Sequence, residues 1–214
     1  MFHHLWQDLP TQVHDEFEAS SRILTKKRGE FIYQEGDQPD GLYFLDEGLV
    51  GLLLVGAASG KEHLLRFFRK GQFFGHRSLF AQEGYHGSTV ALETSSIKVV
   101  PKSVILGALD RFPVLYKELT LVLSKQLRRC EVQHVMILEN QILSRTAQAL
   151  IYLKDLHPDH MWTRQEIANF CASTTSTIIK ALAELESMGL IGQQGRKIEI
   201  LDREALFNLQ DLEH

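Results

Sequence analysis

Three patterns of hydrophobic and polar positions follow one another along the chain. The first is an apolar residue at every fourth position, at Leu5, Leu9, Val13 and Phe17. This spacing predicts a short entry helix that extends to about residue 24. From Gly29 to about Val100, short apolar runs alternate with turns that contain glycine. Such runs, broken at intervals of roughly eight to twelve positions, predict an antiparallel β-sandwich or β-roll.

The third pattern is a long uninterrupted helix after Pro113. No glycine or proline occurs there for about 30 residues, which corresponds to a helix of roughly 45 Å. Steps of four and three align one stripe along it: Leu119, Leu123, Leu127, Cys130, His134, Ile137 and Gln141. We interpret this stripe as a coiled-coil seam between two copies of the chain, because the helix is longer than one small domain requires. Packing of the helix against its own domain is the alternative.

Residues after 162 predict two consecutive helices separated by a short turn. Thr163 and Glu166 have the spacing of a capping box, which starts a short first helix. After a turn at residues 172–173, Thr174 is placed to cap a second helix. This second helix buries an apolar stripe at Ile178, Leu182 and Leu185. Its first turns direct four side chains outward: Thr175, Ser176, Ile179 and Lys180.

The segment after the second helix completes a recognisable arrangement. Gly189 ends the helix, and residues 190–201 then predict a β-hairpin with Arg196 and Lys197 at its loop. A helix that presents small polar side chains and a cation from its first turns is suited to base edges and phosphates in a major groove. We therefore interpret this region as a winged helix that binds double-stranded DNA. A helical hairpin that binds no nucleic acid is the alternative.

These patterns predict an α+β protein with three parts. Ser144 is a candidate N-cap for a further helix that Pro158 ends, and it marks the change from a β-rich to an α-rich region. We expect residues 1–112 to form an antiparallel β-roll that senses an effector. Residues 113–143 then form a dimerisation helix, and residues 144–214 form a winged helix-turn-helix domain.

Composition and charge narrow the function further. The net charge is -4 and the sequence pI is about 6.2, so any contact with nucleic acid must come from a local basic patch. No apolar run approaches the roughly 18 residues of a membrane span, and the N-terminus lacks the pattern of a secretory signal. The two cysteines, Cys130 and Cys171, match no metal-ligand spacing. We therefore expect a cytoplasmic protein that does not contact membranes.

Four segments together resemble the CRP/FNR family of bacterial transcription regulators. "GDQPDGLYFLDEGLVGLLL" and "GQFFGHRSLF" are similar to the sensor roll and its ligand-binding turn, and "TRQEIANF" and "LIGQQGRKIEILDREAL" are similar to the DNA-binding motif, its wing and the final helix. The resemblance implies a homodimer with a cyclic-nucleotide-binding-like β-roll, which is a double-stranded β-helix. It also implies an operator with two-fold-related half-sites and RNA polymerase as a partner.

The resemblance assigns DNA-contacting positions to individual residues. Arg164 and Gln165 fall where family members commonly touch phosphates, whereas Thr175, Ser176 and Lys180 fall at base-reading positions. The complete predicted set is Arg164, Gln165, Thr174, Thr175, Ser176, Thr177, Lys180, Arg196 and Lys197. The cyclic-AMP receptor subgroup has Arg, Glu and Arg at the base-reading positions, so we expect a different operator sequence. Two half-sites about one helical turn apart should remain.

The predicted effector pocket also departs from the cyclic-AMP receptor subgroup. Its candidate residues are Gly75, His76, Arg77, Ser78, His86, Ser88, Thr89, Cys130 and Glu131. His76 replaces the glutamate that holds the ribose, and Gly87 or His86 replaces the arginine that receives the cyclic phosphate. A buried phosphate needs a fixed cation or several amide donors, and Arg77 supplies the charge only if the turn is rearranged. We therefore do not expect cyclic AMP to bind in the usual way, and the effector is unknown.

Other sensing chemistries and functions differ in the residues that they require. Two separated cysteines do not supply the four ligands of an iron–sulfur cluster. Haem or a metal stays an alternative because the chain has 10 histidines, with His76 as the first candidate ligand. Cys130 is either a buried structural residue or a thiol switch. No His-x-His pair or catalytic triad is identifiable, so we expect no enzymatic activity; a nucleotide-binding module without DNA binding stays an alternative.

Overall fold

The computed structural model describes residues 10–209, and the chain divides into two compact units, Met1–Leu127 and Arg128–His214. Leu5 and Leu9 of the predicted entry helix lie outside the described residues. None of the helices within residues 10–209 is long and apolar enough to cross a membrane.

Eight strands and four helices are described in the first unit and where it continues along the chain. The strands are β1 (Arg22–Lys26), β2 (Phe31–Tyr33), β3 (Gly41–Glu47), β4 (Leu49–Val55), β5 (Glu62–Arg69), β6 (Phe73–Phe74), β7 (Ser88–Ala91) and β8 (Ser95–Pro101). The helices are α1 (Thr11–Ser20), α2 (His76–Ala81), α3 (Lys102–Arg111) and α4 (Val114–Glu139). The last of these helices continues into the second unit.

The strands form two antiparallel four-stranded sheets, in the orders β1-β8-β3-β6 and β2-β7-β4-β5. Apart from the neighbours β4 and β5, consecutive strands alternate between the sheets, which makes the roll. Inside it, aromatic residues from both sheets form one core; these residues are Tyr33, Tyr43, Phe68, Phe74 and Tyr85. A second core forms where α1, α3 and the start of α4 cover the outer face of β3 and β8.

The entry helix is shorter than predicted. It ends at Ser20, and β1 begins at Arg22, because this segment pairs with β8 in the register Leu24↔Ile97. The apolar spacing alone does not reveal this long-range pairing. The helices α2 and α3 were also not predicted, since they lie inside and directly after the β-rich region.

The long helix was predicted correctly, but its stripe needs two corrections. Leu119 is buried in the first unit's own core with Leu115 and Val122, so it does not belong to an exposed seam. Gln141 lies beyond α4, which ends at Glu139. The stripe members Leu123 and Leu127 do have exposed side chains.

The second unit contains helices α5 (Ile142–Leu156), α6 (Arg164–Phe170), α7 (Thr175–Ser187) and α8 (Arg203–Phe207), with strands β9 (Ile191–Gln194) and β10 (Lys197–Ile200). The prediction of Ser144 as an N-cap is wrong. The N-cap is Gln141, and Ser144 lies within α5 with 2% of its surface exposed. The apolar face of α5 begins at its first residues, so the helix starts before the serine.

Candidate nucleic-acid interface and effector pocket

The first helix of the DNA-binding motif begins at the predicted capping box. The Thr163 hydroxyl accepts a hydrogen bond from the Glu166 amide at 3.1 Å, and the Glu166 carboxylate accepts one from the Thr163 amide at 2.8 Å. The same carboxylate contacts Nε2 of buried His160 at 3.3 Å. The start of α6 is therefore fixed by three contacts to one side chain pair, as the sequence predicted for two of them.

The turn between α6 and α7 sets the direction of the second helix. Ala172 has a positive φ of 52°, which is a left-handed conformation that non-glycine residues adopt at a cost. Thr174 caps α7, because its hydroxyl accepts from the Thr177 amide at 3.2 Å and lies 2.7 Å from the Thr177 hydroxyl. The predicted buried stripe is confirmed at Ile178, Leu182 and Leu185. Thr174 and Thr177 thus use their hydroxyls in the cap.

The opposite face of α7 carries its exposed residues. Ser176, Ile179 and Lys180 are exposed, as predicted, and Ile179 keeps 52% of its surface accessible. Thr175 was predicted to point outward as well, but it is half-buried and donates to Gln165 Oε1 at 2.5 Å. Gln165 in turn donates to Asn169 Oδ1 at 2.6 Å. Gln165 and Thr175 therefore connect α6 to α7.

Arg164 contacts the hairpin. Its guanidinium donates to the Arg196 carbonyl oxygen at 2.8 Å and to Gln193 Oε1 at 2.7 Å. Gln193 is itself held by the Glu186 carboxylate of α7 at 2.8 and 3.0 Å. A guanidinium that makes two such bonds has a fixed orientation. Arg164 therefore joins the start of α6 to the hairpin.

The basic side chains of this unit differ in their surroundings. Lys197 pairs with Glu199 on the same strand. Arg196 occupies the turn between β9 and β10 and is exposed, as is Lys180 on α7. Within residues 10–209, neither Arg196 nor Lys180 has an acidic side chain in ion-pair distance. These two cations are available to an anionic partner.

A cleft of about 290 Å³, partly open to solvent, lies inside the β-roll. It brings together five of the predicted effector residues: Gly75, His76, Arg77, Ser78 and His86. Five further lining residues were missed: Tyr33, Leu52, Arg66, Phe68 and Tyr85. They come from β2, β4, β5 and the segment before β7, and only the strand pairing places them together. The local similarity of one turn gave no signal for them.

Gly75 determines how the ligand-binding turn enters α2. Its φ is +86°, and a Cβ at this position would lie 2.9 Å from the Tyr43 ring. Glycine relieves both constraints. The next residue, His76, is therefore the first of α2, and its ring turns into the protein interior with 2% of its surface exposed.

His76 is a neutral group in the interior of the roll. Burial lowers the pKa of its imidazole to about 4, although the hydrogen bond to Gln126 opposes this and Arg77 and Arg66 add to it. Nε2 lies 3.1 Å from Gln126 Oε1 of α4, and the ring packs edge-on against Phe73. Nδ1 is buried without a hydrogen-bond partner in the described part of the chain.

Tyrosine side chains close the inner part of the cleft. Tyr33 and Tyr85 stack with ring centroids 3.5 Å apart and planes at 11°. Burial raises the pKa of both phenols, that of Tyr85 to about 12, so they stay protonated and neutral. The Tyr43 hydroxyl donates to Asp40 at 2.5 Å. The cleft therefore contains neutral aromatic groups together with arginine and histidine.

Four of the predicted pocket residues do not line the cleft. The Ser88 hydroxyl accepts from the Glu35 amide at 2.9 Å and holds the segment after β2, and Thr89 is fully buried in β7. Cys130 and Glu131 are exposed on α4, after the end of the first unit at Leu127. The interpretation of Cys130 as a buried structural residue is therefore wrong.

The haem alternative does not fit the donor geometry well. The Nε2 atom of His76 is paired with Gln126, which leaves only Nδ1, in a cleft of about 290 Å³. In addition, no cluster of three or more His, Cys, Asp or Glu side chains within residues 10–209 is arranged to hold a metal ion.

Comparison with known proteins agrees with both halves of this description. A cyclic nucleotide-binding domain model matches residues 24–112, and a Crp-like helix-turn-helix domain model matches residues 144–209. A CRP-like cAMP-activated global transcriptional regulator of Mycobacterium tuberculosis is 28% identical over 189 residues, or 84% of each chain. An uncharacterized protein of Haemophilus influenzae is 36% identical over 82 residues, which is 38% of this chain and 63% of that protein.

Solved structures share the fold. A CRP/FNR-family transcriptional regulator of Thermus thermophilus superimposes with a TM-score of 0.74 at 28% identity, covering 89% of this chain and 98% of that one. A sensor domain of the cyclic-nucleotide-binding kind with a helix-turn-helix domain defines a class of transcription regulators. The chain belongs to the CRP/FNR family within this class. The predicted family and fold class are confirmed, and the protein is a transcription regulator with a helix-turn-helix DNA-binding domain.

Proposed function

We propose that the protein acts as a homodimer that binds a specific operator and changes its DNA affinity when an effector occupies the β-roll. The observation that carries the proposal is the exposed face of α7, where Ser176, Ile179 and Lys180 lie at the capped N-terminal end of the helix. Recognition helices contact base edges with residues at this end. We infer a cytoplasmic location and RNA polymerase as a further partner from this role.

Lys180 and Arg196 are the cations that we assign to DNA. Both are exposed, and they lie on the helix and on the hairpin turn that follows it. A lysine is a point charge with rotatable donors, so it contacts guanine or phosphate with less geometric selectivity than arginine. We therefore infer that Ser176 and Ile179 contribute to sequence selection next to Lys180.

The dimer proposal depends on exposed apolar residues of α4. Tyr116, Leu123, Leu127 and Leu138 expose 51%, 38%, 61% and 70% of their surfaces, and steps of three and four residues relate most of the positions between them. Apolar side chains on one helical stripe are typical of a coiled-coil seam. A second copy of α4 would cover this stripe and bring two α7 helices to two-fold-related half-sites.

The effector signal has a direct route to α4. His76 lines the cleft, and its Nε2 contacts Gln126 of α4 at 3.1 Å. A ligand that moves His76 would thereby change the position of α4 in the dimer. The helix break at residues 140–141, between α4 and α5, is the proposed hinge.

The operator is best identified by selection from random DNA duplexes and then used in gel-shift titrations. We expect Lys180→Ala to abolish specific binding and leave only salt-sensitive, sequence-independent binding, roughly a thousandfold weaker. Lys70→Ala, in the turn between β5 and β6, is the matched control and should bind like the unmodified protein. Unchanged operator affinity in Lys180→Ala would contradict the assignment of α7. Failure to select any duplex would instead favour a nucleotide-binding module without DNA binding.

A further inference from the structure

The cleft of the β-roll has an unbalanced set of charges. Arg66 reaches it from β5, Arg77 from α2, and His86 from the segment before β7. Neither aspartate nor glutamate is among the described residues that line it. Two guanidinium groups therefore face the same space, from elements that are not adjacent in the sequence.

The two arginines act on the histidines of the cleft. After the effect of burial, Arg77 and Arg66 are the charges that lower the pKa of His86, and only Glu35 opposes them. The same two arginines lower the pKa of His76. Their positive charges are therefore close to both imidazoles. An anion placed between the arginines would offset this field.

His76 provides a second, independent sign of a ligand. Its ring is 2% exposed and lines the cleft, and its Nδ1 has no hydrogen-bond partner among residues 10–209. A buried polar atom without a partner is costly and is usually satisfied by a bound group. A hydroxyl suits this atom, because it can donate to or accept from Nδ1 in either tautomer.

The size and walls of the cleft argue against a nucleotide. At about 290 Å³ including its open part, it lies at the lower end of the roughly 300–1,000 Å³ range of ligand pockets. Tyr33 and Tyr85 stack on each other at 3.5 Å, so those two faces are not open to a purine. A cyclic phosphate also carries only one negative charge, whereas the cleft presents two guanidinium groups.

We propose that the effector is a compact dianion, which Arg66 and Arg77 bind together and whose neutral polar group contacts His76. This inference rests on the proposed function, because it names the ligand class of the β-roll of a DNA-binding regulator. The shared chemistry is a pair of negative charges, supplied either by two carboxylates or by a phosphate monoester. Arginine suits both groups because its planar donors bind two oxygens at once.

The test is a calorimetric titration of the full-length protein with four probes: succinate, malate, 3-phosphoglycerate and cyclic AMP. We expect saturable binding of succinate and malate or of 3-phosphoglycerate, which identifies the dicarboxylate or the phosphate source. Malate should bind more tightly than succinate if its hydroxyl contacts His76. Arg66→Gln and Arg77→Gln should each weaken the binding about tenfold or more, since each removes a charge-assisted contact.

Arg69→Gln is the matched control, because Arg69 lies on β5 near Arg66 but is exposed and outside the cleft. It should keep the affinity of the unmodified protein. The inference is overturned if no dianion binds, if Arg69→Gln weakens binding as much as Arg66→Gln, or if cyclic AMP alone binds. Operator binding by the same samples tests the proposed function separately: a protein that binds its operator but no dianion contradicts only the ligand class.

Discussion

His76 should make the stability of the β-roll depend on pH in a direction that its burial determines. The pKa of the imidazole is lowered from 6.5 to about 4 in the folded protein. As the pH falls below 6.5, the unfolded chain takes up a proton that the folded chain does not, so the unfolded state is favoured. The contribution of this residue is fully present above the unfolded pKa and is lost as the pH falls towards 4.

The size of the effect follows from the two pKa values. Linkage gives a loss of about 2 kcal/mol in the free energy of unfolding by pH 5, and about 3 kcal/mol below pH 4. Replacing His76 by glutamine removes this titration. The stability difference between His76→Gln and the unmodified protein should therefore shift by about 2 kcal/mol in favour of the variant between pH 7 and pH 5.

The assay is urea unfolding at pH 7, 6 and 5 and at one protein concentration, followed by the near-ultraviolet circular dichroism of the buried tyrosines in the roll. Gln126→Leu is the matched control, because it removes the hydrogen bond to His76 but keeps the imidazole buried. It should lower stability at pH 7 and still lose stability as the pH falls. Parallel pH curves for the unmodified protein and His76→Gln, or an NMR titration of His76 near 6.5, would refute the reasoning.

Two further variants test the turn before α2 and the stripe on α4. Gly75→Ala should lower the unfolding free energy by about 1–3 kcal/mol, because φ is +86° and the new Cβ meets Tyr43 at 2.9 Å; Gly107→Ala, in α3 with no atom within 4 Å of its Cβ, should be neutral or raise it, and equal effects in thermal unfolding would contradict this account. Leu127→Asp should convert the dimer to a monomer in light scattering, whereas Leu65→Asp, an exposed position of β5, should leave the mass unchanged. A Leu127→Asp protein that keeps the dimer mass would exclude α4 as the seam.

The parts of the fold that were predicted from sequence are those that local physics decides. The capping box of Thr163 and Glu166 needs only three residues of spacing, and the stripe of α7 needs only helical periodicity. The strand pairing of β1 and the membership of Arg66 in the cleft depend on contacts between distant segments. A single sequence carries no pattern for such contacts, which is why the search for a cation was confined to the turn around Arg77.

Arg164 illustrates the same limit at the DNA-binding site and changes the expected energetics there. Its position in the motif suggests a phosphate contact, yet its guanidinium bonds to Gln193 and to the Arg196 carbonyl, more than 25 positions away. If these bonds persist in the complex, Lys180 and Arg196 carry most of the electrostatic attraction of each subunit. With a net charge of -4, one subunit then has few phosphate contacts and a weak salt dependence. Specific binding would require the two half-sites of a dimer, because joining two weak sites multiplies their affinities.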